Sequence, residues 1–514
     1  MSVLIPLLLC GTLISLLYLW AKRAQNYWTR KGVPQIKPNI IFGNLGPLMR
    51  GRKSFKDTFY EFYQEANSKG YKYLGLYAGM TPDFMPVDLN LIKSIMTKDF
   101  NNFSSHGIFH HQTIKLSTHL FHMEGAEWKN RRAKLTPAFT SGKMKKMFET
   151  VAATADELTN FVADKAQANE PFNIKETLSR FTTDVIASVA FGLESKSLKD
   201  PEDLFRRIGK KALTFSMLNI FMKNFIPESI LIALKFQMFS PEVINYFTDI
   251  VKNTINYREV NNVERNDFMQ LMIQLKKLGT LNSANDDENV ADEKQKYFVT
   301  DEEILNESFL FFLAGFETSS STMTFTFFEL AQNPQIQETL RIEILKVLEK
   351  HDGKITYDSL FEMEYLDKVV KETLRKYPVL PAIPRKCTKS YKIPDTDIII
   401  EKGTRVHIPV IGFQWDPKYY PNPEEYNPEN FCPEKIASRP DFTWIPFGEG
   451  PRQCTGMRFG LMQTKIGIVA LLSKFNFTLH PSVKPPFEAD ERIRLFAFKK
   501  DIIVFATKIQ EKII

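Results

Sequence analysis

The stretch Phe447-Gly448-Glu449-Gly450-Pro451-Arg452-Gln453-Cys454-Thr455-Gly456 places one cysteine in a glycine-rich loop directly before a long apolar run. Its glycines permit backbone angles and close approaches that a Cβ would forbid, so the loop can lie flat against a large planar partner. Residues 456–472 have a helical pattern, which puts Cys454 at a helix N-terminus, where N–H groups favour a thiolate. We interpret Cys454 as a metal ligand, although a lone cysteine is more often a buried structural residue.

The loop fits the pattern Phe-x-x-Gly-x-Arg-x-Cys-x-Gly, which fixes five residue types at set spacing. It resembles the signature of the haem-thiolate monooxygenases, the cytochromes P450. The resemblance implies haem b as the cofactor, with Cys454 as the axial ligand of the iron and Phe447 and Arg452 beside it. It also implies a mainly α-helical fold with small β-sheets, the cytochrome P450 fold, behind an N-terminal transmembrane anchor.

Composition narrows the class of protein. The chain has 514 residues, 43% of them apolar, which is enough for one large core or two ordinary ones. The net charge is +7 and the basic residues are dispersed, which argues against a nucleic-acid partner. Four cysteines at 10, 387, 432 and 454 form no paired framework, as expected for a chain facing a reducing compartment.

The N-terminus predicts a membrane anchor. Residues 1–21 carry no charged side chain, whereas Lys22 and Arg23 follow directly, so the positive-inside rule places the rest of the chain in the cytosol. A cleaved signal peptide would need a basic start and a small-residue cleavage site. We predict an anchor at 1–21, a basic, proline-rich hinge at 22–50 and one catalytic domain at 51–514. The resemblance to microsomal members names the endoplasmic reticulum as the membrane.

Other stretches give coarser predictions. A strand-like run at 73–77 predicts a small sheet, and two runs within 397–409 predict a hairpin turning at Lys402-Gly403. Residues 215–239 are rich in large apolar side chains and predict a buried helix pair, or, by the resemblance, a lid over a substrate channel. Residues 276–296 are polar and acidic, which is typical of a surface loop.

A buried central helix is predicted after residue 300. Thr300 and Glu303 form a capping box, and 304–316 is apolar on all sides. A mid-helix glycine and a buried carboxylate and hydroxyl are costly there, so they need a reason.

The run Ala314-Gly315-Phe316-Glu317-Thr318 matches the oxygen-activation motif of that family. The resemblance implies that Ala314 and Gly315 leave room beside the cofactor, and that Thr318 and Glu317 supply protons. The alternative is a threonine hydroxyl bonded back to its own helix carbonyl.

Several side chains are candidates for binding the cofactor's carboxylates. Trp128 and Arg132 are four positions apart, so both can donate to one anion, although such a pair is more often a cation–π surface contact. The resemblance assigns Trp128, Arg132, Arg385 and Arg452 to the haem propionates. His106 stands where relatives often carry another such arginine.

Two further positions match or depart from that family. Glu372 and Arg375 lie three apart on one helix face and match a pair that braces the core there. A third, charged member is replaced by Asn430, and Gln414 replaces a histidine, for which the sequence indicates no functional consequence.

The leading hypothesis is a monooxygenase that inserts one atom of O₂ into lipophilic substrates. No dinucleotide-binding Gly-x-Gly-x-x-Gly follows a strand, so NADPH electrons must come through a separate protein, NADPH–cytochrome P450 reductase, with cytochrome b5 as a second candidate donor. Basic residues at 134, 143, 145 and 146 form a solvated face, or, by the resemblance, the docking surface for that acidic reductase.

Other functions stay open at this point. A haem-thiolate isomerase would lack the pair Glu317-Thr318, and a haem-based sensor would need an output domain. A hydroxylase of endogenous hormones or lipids is the closer alternative. The stretches 139–144 and 418–421 most resemble the insect microsomal branch that clears plant toxins and insecticides.

Overall fold

The computed structural model describes residues 4–214, 219, 222, 226–279 and 298–509. Residues 215–218, 220–221 and 223–225 of the stretch predicted at 215–239 as a helix pair or lid, and residues 280–296 of the surface loop predicted at 276–296, therefore lie outside the described residues. The described part 226–239 contains one short helix, Glu228–Ala233. The chain divides into two compact units. Unit 1 is Met1–Gly107, Leu374–Cys454 and Pro486–Lys500, and unit 2 is Ile108–Thr373, Thr455–Pro485 and Asp501–Ile514.

Helices predominate over short strands, as the sequence predicted. The described α-helices are α1 (Leu4–Ala24), α2 (Tyr27–Arg30), α3 (Gly46–Met49), α4 (Phe55–Ser68), α5 (Leu89–Lys93), α6 (Gly125–Leu135), α7 (Ser141–Gln167), α8 (Ile174–Ile186), α9 (Leu204–Leu213), α10 (Glu228–Ala233), α11 (Pro241–Asn261), α12 (Phe268–Leu278), α13 (Asp301–Gln332), α14 (Pro334–Lys350), α15 (Ser359–Glu362), α16 (Glu364–Lys376), α17 (Val410–Gln414), α18 (Pro433–Ser438) and α19 (Met457–Leu472). The described strands are β1 (Tyr73–Ala78), β2 (Thr81–Pro86), β3 (Phe172–Asn173), β4 (Ile383–Lys386), β5 (Tyr391–Lys392), β6 (Ile399–Ile400), β7 (Arg405–Ile408), β8 (Phe475–Leu479) and β9 (Ile503–Lys508).

Unit 1 is built on a four-stranded sheet in the order β1-β2-β7-β4. β1 and β2 form the antiparallel pair at the predicted small sheet, from Tyr73 opposite Pro86 to Ala78 opposite Thr81. The hairpin predicted within 397–409 is wrong: β6 pairs with β5, while β7 pairs with β4 and runs parallel to β2. Both runs are strands, as predicted. Val406 and Ile408 of β7 are fully buried in the unit 1 core, so burial in the larger sheet determines the strands with which β7 pairs.

The segment after α1 is packed firmly onto β1. The Trp28 indole is fully buried, its Nε1 donates to the Leu76 carbonyl at 3.2 Å, and its ring lies where a Cβ at position 75 would be, so Gly75 must be glycine. The Gln25 amide donates to the carbonyls of Asn39 at 2.8 Å and Gly79 at 3.1 Å. The stretch predicted as a hinge is therefore clamped to the sheet.

Helix α1 is apolar and long enough to cross a membrane over Leu7–Ala24, and only 6% of that window is buried. Its leucine and isoleucine side chains are largely exposed, as in Leu9 at 66% and Ile14 at 65%. An apolar helix that buries almost nothing is typical of a segment made for a lipid environment.

Unit 2 is organised around the 32-residue helix α13. Its predicted capping box is present: the Glu303 N–H donates to Thr300 Oγ1 at 3.2 Å and the Thr300 N–H donates to Glu303 Oε2 at 2.7 Å. α13 packs against α8 and α19, and phenylalanines such as Phe309 and Phe312 are buried around it. The prediction of a helix buried in the core is confirmed. A three-stranded sheet, in the order β3-β9-β8, completes the unit.

Candidate active site

In unit 1 the loop 447–454 is closed by its own main chain and presents Cys454. The Cys454 N–H donates to the Phe447 carbonyl at 2.9 Å, and Cys454 is exposed, three residues before α19 begins. Gly448 and Gly450 have φ of +70° and +73°. A Cβ at Gly450 would also collide with the Met96 carbonyl oxygen, so glycine is needed there for both conformation and space.

A two-residue segment links this loop to strand β4. Arg452 is buried, and its Nε donates to the Ser104 carbonyl at 2.8 Å, while the Lys386 N–H donates to the Ser105 carbonyl at 2.8 Å. The antiparallel bridge between Ser105 and Lys386 sets the next residue, His106, opposite Arg385 in register. The candidates Arg452, His106 and Arg385 are thus connected through one short segment, residues 104–106.

Arg385 is the clearest sign of an acidic ligand. The side chain is 99% buried; among the residues that the structure describes, its Nη1 donates to the Pro384 carbonyl at 2.9 Å and its Nε has no partner. No ion pair to it occurs within the described residues, and burial lowers the pKa of the guanidinium to about 10, so it is still charged at neutral pH. A buried, charged guanidinium with an orphaned donor fits a carboxylate-bearing group, and the propionates of haem are such carboxylates.

Gln414 is a residue whose role the sequence did not indicate. It is fully buried, its Nε2 donates to the carbonyls of Leu374 and Arg375 at 2.9 Å each, and its Oε1 accepts from the Ile445 N–H at 3.3 Å. The Ile445 carbonyl in turn accepts from the Gly448 N–H at 2.9 Å. Gln414 therefore joins the C-terminal turn of α16 to the entry of the cysteine loop.

The structure buries both members of the pair Glu372 and Arg375 that was predicted to brace the core. The Arg375 guanidinium donates to the carbonyls of Gln414 at 3.0 Å and Glu425 at 3.1 Å, and both Glu372 and Arg375 are fully buried. Asn430 is buried as well, in the short 3₁₀ helix Pro428–Phe431. The role of Asn430 in place of an arginine stays a prediction.

In unit 2 Trp128 and Arg132 lie on one face of α6. Trp128 is buried, and the half-buried Arg132 donates through Nη1 to the hydroxyl of Thr455, the residue that follows Cys454 in sequence. Arg132 is thus a charged donor held by the residue that follows Cys454, and such a donor is suited to a cofactor carboxylate.

One face of α13 is open at its centre. Leu310, Leu313, Ala314, Glu317 and Thr318 are exposed or half-buried at i, i+3, i+4, i+7 and i+8, whereas the residues between them are buried. This spacing puts all five on one side of the helix. The open face is thus apolar at three positions and polar at the two predicted to handle protons.

The polar pair has defined partners. The Thr318 hydroxyl donates to the Ala314 carbonyl at 2.5 Å, which is the geometry of the alternative interpretation, although its oxygen can still accept a hydrogen bond. The Glu317 carboxylate lies 3.5 Å from the Lys175 ammonium of α8.

Gly315, by contrast, lies on the buried side of α13. A Cβ there would come within 2.6 Å of Ile186 Cδ1, so close packing against α8 is a reason for glycine that the sequence did not indicate. The room it was predicted to leave for a cofactor stays a prediction.

A buried ion network between α6 and α13 was also missed by sequence reasoning. Arg131, next to Arg132 on α6, donates to Glu307 Oε1 at 3.0 Å and also bonds Glu303, both on α13. The Leu120 N–H donates to the same Glu307 carboxylate at 3.0 Å. Burial raises the pKa of Glu307 to about 7, against the opposing effect of Arg131. Glu307, the charged residue before the apolar residues 309–313, was the signal that could have pointed to such a partner.

Comparison with known proteins adds similarity along nearly the whole length. A family model described as Cytochrome P450 matches residues 33–503. The chain is 40% identical over 498 residues to cytochrome P450 6a2 of Drosophila melanogaster, a match covering 95% of this chain and 96% of that protein. It is 39% identical over 501 residues to cytochrome P450 6k1 of Blattella germanica, covering 96% and 94%, and 36% identical over 511 residues to cytochrome P450 6A1 of Musca domestica, covering 98% of each.

Proposed function

The chain belongs to the cytochrome P450 family, and on that premise we propose that it oxidises lipophilic foreign compounds, such as plant toxins or insecticides, with electrons from NADPH delivered by a separate reductase. Membership makes the protein a haem-dependent monooxygenase that uses O₂, and it confirms the resemblance drawn from residues 447–456. The insect relatives confirm the resemblance to the insect branch drawn from residues 139–144 and 418–421. The substrate class, haem b as the form of the cofactor, and the electron donors, NADPH–cytochrome P450 reductase and cytochrome b5, belong to the proposal.

The observation that carries the substrate class is the open face of α13. Leu310, Leu313 and Ala314 offer hydrocarbon surface, and the two polar side chains follow at its end. Apolar walls with a few placed polar groups favour a lipophilic ligand through burial of apolar area.

The bound haem supplies the iron at which dioxygen is activated. Cys454 would hold it as a thiolate, since the closed loop exposes the sulfur beside the start of α19. Arg385 and Arg452 of unit 1, and Trp128 and Arg132 of unit 2, would hold its propionates.

Proton supply is assigned to the pair on α13. Lys175 holds the Glu317 carboxylate in place, and both side chains are partly exposed, so the carboxylate can exchange protons with water. The Thr318 hydroxyl, one residue further on the same face, would orient water toward the substrate side of the helix. To donate in that direction it must release the Ala314 carbonyl, which is a one-bond rearrangement.

We also propose that α1 is an uncleaved anchor in the endoplasmic reticulum membrane, with residues 51–514 as a cytosolic catalytic domain after a connector at 22–50. The apolar, exposed α1 and the basic residues at its C-terminal end support this orientation.

The test reconstitutes the full chain with a reductase and NADPH and profiles products from matched panels of lipophilic and polar compounds. We expect oxidised products from the lipophilic panel, and turnover confined to one endogenous lipid would contradict the foreign-compound proposal. The cysteine is tested separately by spectroscopy. Cys454→His should abolish the red-shifted Soret band of the reduced carbon monoxide complex, and Cys432→Ala, the control, should keep it; the reverse pattern would refute the ligand assignment.

A further inference from the structure

A small cavity in unit 2 is lined mainly by charged and polar side chains, none of them from α13. It has a volume of about 170 Å³, well above the roughly 10–15 Å³ that a single water needs. Its walls come from the first two turns of α7 and from the start of α12 with the residues before it. The lining residues are Lys143, Lys146, Met147, Glu264, Arg265, Asn266, Asp267, Gln270, Leu271 and Gln274.

Two lysines line this cavity, and neither forms an ion pair among the residues that the structure describes. Lys143 and Lys146 lie one helical turn apart and have neither a hydrogen-bond nor an ion-pair partner within the described part of the chain. Burial and the neighbouring charge of Lys146 lower the pKa of Lys143. Lys145, between them in sequence, does not line the cavity and pairs instead with Asp358 at 3.1 Å.

The other charges do not neutralise the pair. Asp267 is already bound by the buried Arg258, whose Nη1 donates to its Oδ1 at 2.8 Å, and by the Gln270 N–H at 2.8 Å. The Arg265 guanidinium is a third cation; it donates to the Gly192 carbonyl at 3.1 Å, and its Nε lies 3.5 Å from Asp267 Oδ2. The lining therefore has three cations and two carboxylates, those of Glu264 and Asp267. Because Asp267 is also paired with Arg258, the excess charge of the cavity is positive.

Neutral donors complete the lining. Asn266, Gln270 and Gln274 bring side-chain amides, and the Thr140 side chain does not cap α7, so the N–H groups of its first turn stay available near Lys143. Several cations and amide donors around a recess of this size suit a tetrahedral oxyanion, which offers many acceptor atoms, better than an apolar molecule or a metal ion.

We propose that this cavity between α7 and α12 is a binding site for a phosphate group, carried by a small phosphate ester or by a lipid headgroup. The proposal assigns Lys143 and Lys146 a ligand of their own. It does not depend on haem chemistry, so its failure would leave the monooxygenase assignment untouched.

Calorimetric titration of the full-length holoenzyme with sodium phosphate, against sodium chloride at equal ionic strength, tests it. Wild-type protein and the matched control Lys145→Gln should bind phosphate saturably. The double variant Lys143→Gln/Lys146→Gln should bind about tenfold more weakly or worse, because each charge-assisted hydrogen bond contributes at least about 1.5 kcal/mol. An unchanged Soret band of the reduced carbon monoxide complex in the double variant shows that the protein is folded.

Two further arms identify the source of the phosphate. Glycerol 3-phosphate in solution and vesicles containing phosphatidic acid should both reproduce the difference between variants if the group alone is recognised, and vesicles alone if the ligand is a headgroup. Equal phosphate affinity in all three proteins, or no saturable binding by wild type, would overturn the proposal. The same holds if the double variant lost only affinity for the reductase, since the cavity would then receive an acidic side chain of a protein.

Discussion

Replacing Gln414 with leucine tests whether the cysteine loop is held by a single buried amide. The change removes the two bonds from Nε2 to the carbonyls of Leu374 and Arg375 and the bond from the Ile445 N–H. At about 0.5–1.5 kcal/mol for each bond, with the three main-chain groups left buried, the expected loss is about 2–4 kcal/mol. Because Ile445 leads directly into residues 447–454, we expect this loss to fall on the geometry that presents Cys454.

Gln337 provides a matched control. It is also buried, and its amide donates to the carbonyls of Leu330 at 2.9 Å and Phe477 at 3.1 Å, while its Oε1 accepts from the Phe477 N–H at 2.8 Å. Gln337→Leu removes the same kinds of bond in unit 2, together with a bond from Arg341 Nη2 to Gln337 Oε1 at 3.3 Å, and should lower the thermal midpoint at least as much.

The decisive readout is the Soret band of the reduced carbon monoxide complex, measured well below both midpoints. Gln414→Leu should convert part of the thiolate band to the band of a complex that has lost thiolate ligation, whereas Gln337→Leu should not. Equal spectra for the two variants, or an intact thiolate band in Gln414→Leu despite its lower midpoint, would refute the role in positioning the loop.

Three further predictions follow from the site. Thr318→Ala should retain haem and NADPH consumption but divert electrons to peroxide and lower product per NADPH several-fold; an unchanged yield would leave the hydroxyl only its bond to Ala314. Arg385→Met should reduce the ratio of haem to protein in purified enzyme more than it changes substrate preference, and full occupancy would remove Arg385 from the haem site. The folded-state pKa of Glu307, about 7, lies above its ordinary 4.5, so this carboxyl stabilises the fold when protonated, and the contribution is lost as pH rises from about 4.5 to 7. Glu307→Gln should therefore flatten the fall of the thermal midpoint over that range, by an equivalent of about 3 kcal/mol at most, and an unchanged slope would contradict the assignment.

Local sequence patterns were sufficient to predict the central helix and the first strand. The capping box at Thr300 and the apolar run after it predicted α13 because both depend on residues a few positions apart. The partner of β7 was not predictable in this way, since it depends on burial in a sheet whose other strands lie far away in sequence.

In the candidate site, too, features that depend on neighbouring residues were predictable and those that depend on distant residues were not. The glycine loop could be read from its spacing, and the structure bears out its conformation at Gly448 and Gly450. The role of Gln414 could not be predicted, because its hydrogen bonds join main-chain groups about 30 to 40 positions away. Every residue except proline has the same main-chain donor and acceptor, so the sequence does not indicate which of them a side chain will bind. Glu307 and Arg131 are 176 positions apart, which hides their pairing equally well.

The contacts of Trp28 with β1 and of Gln25 with Gly79, directly after β1, have a consequence beyond stability. With α1 in a bilayer, unit 1 is joined to the membrane by a rigid arm, since the connector makes its contacts with the sheet within a few residues of the end of α1. The connector thus loses its orientational freedom once, during folding. This entropy is not lost again at each encounter with a molecule dissolved in the lipid. If α1 lies in the bilayer as proposed, this connector would limit the height and tilt of unit 1 above the membrane, and its encounters with membrane-dissolved compounds would be a search in two dimensions.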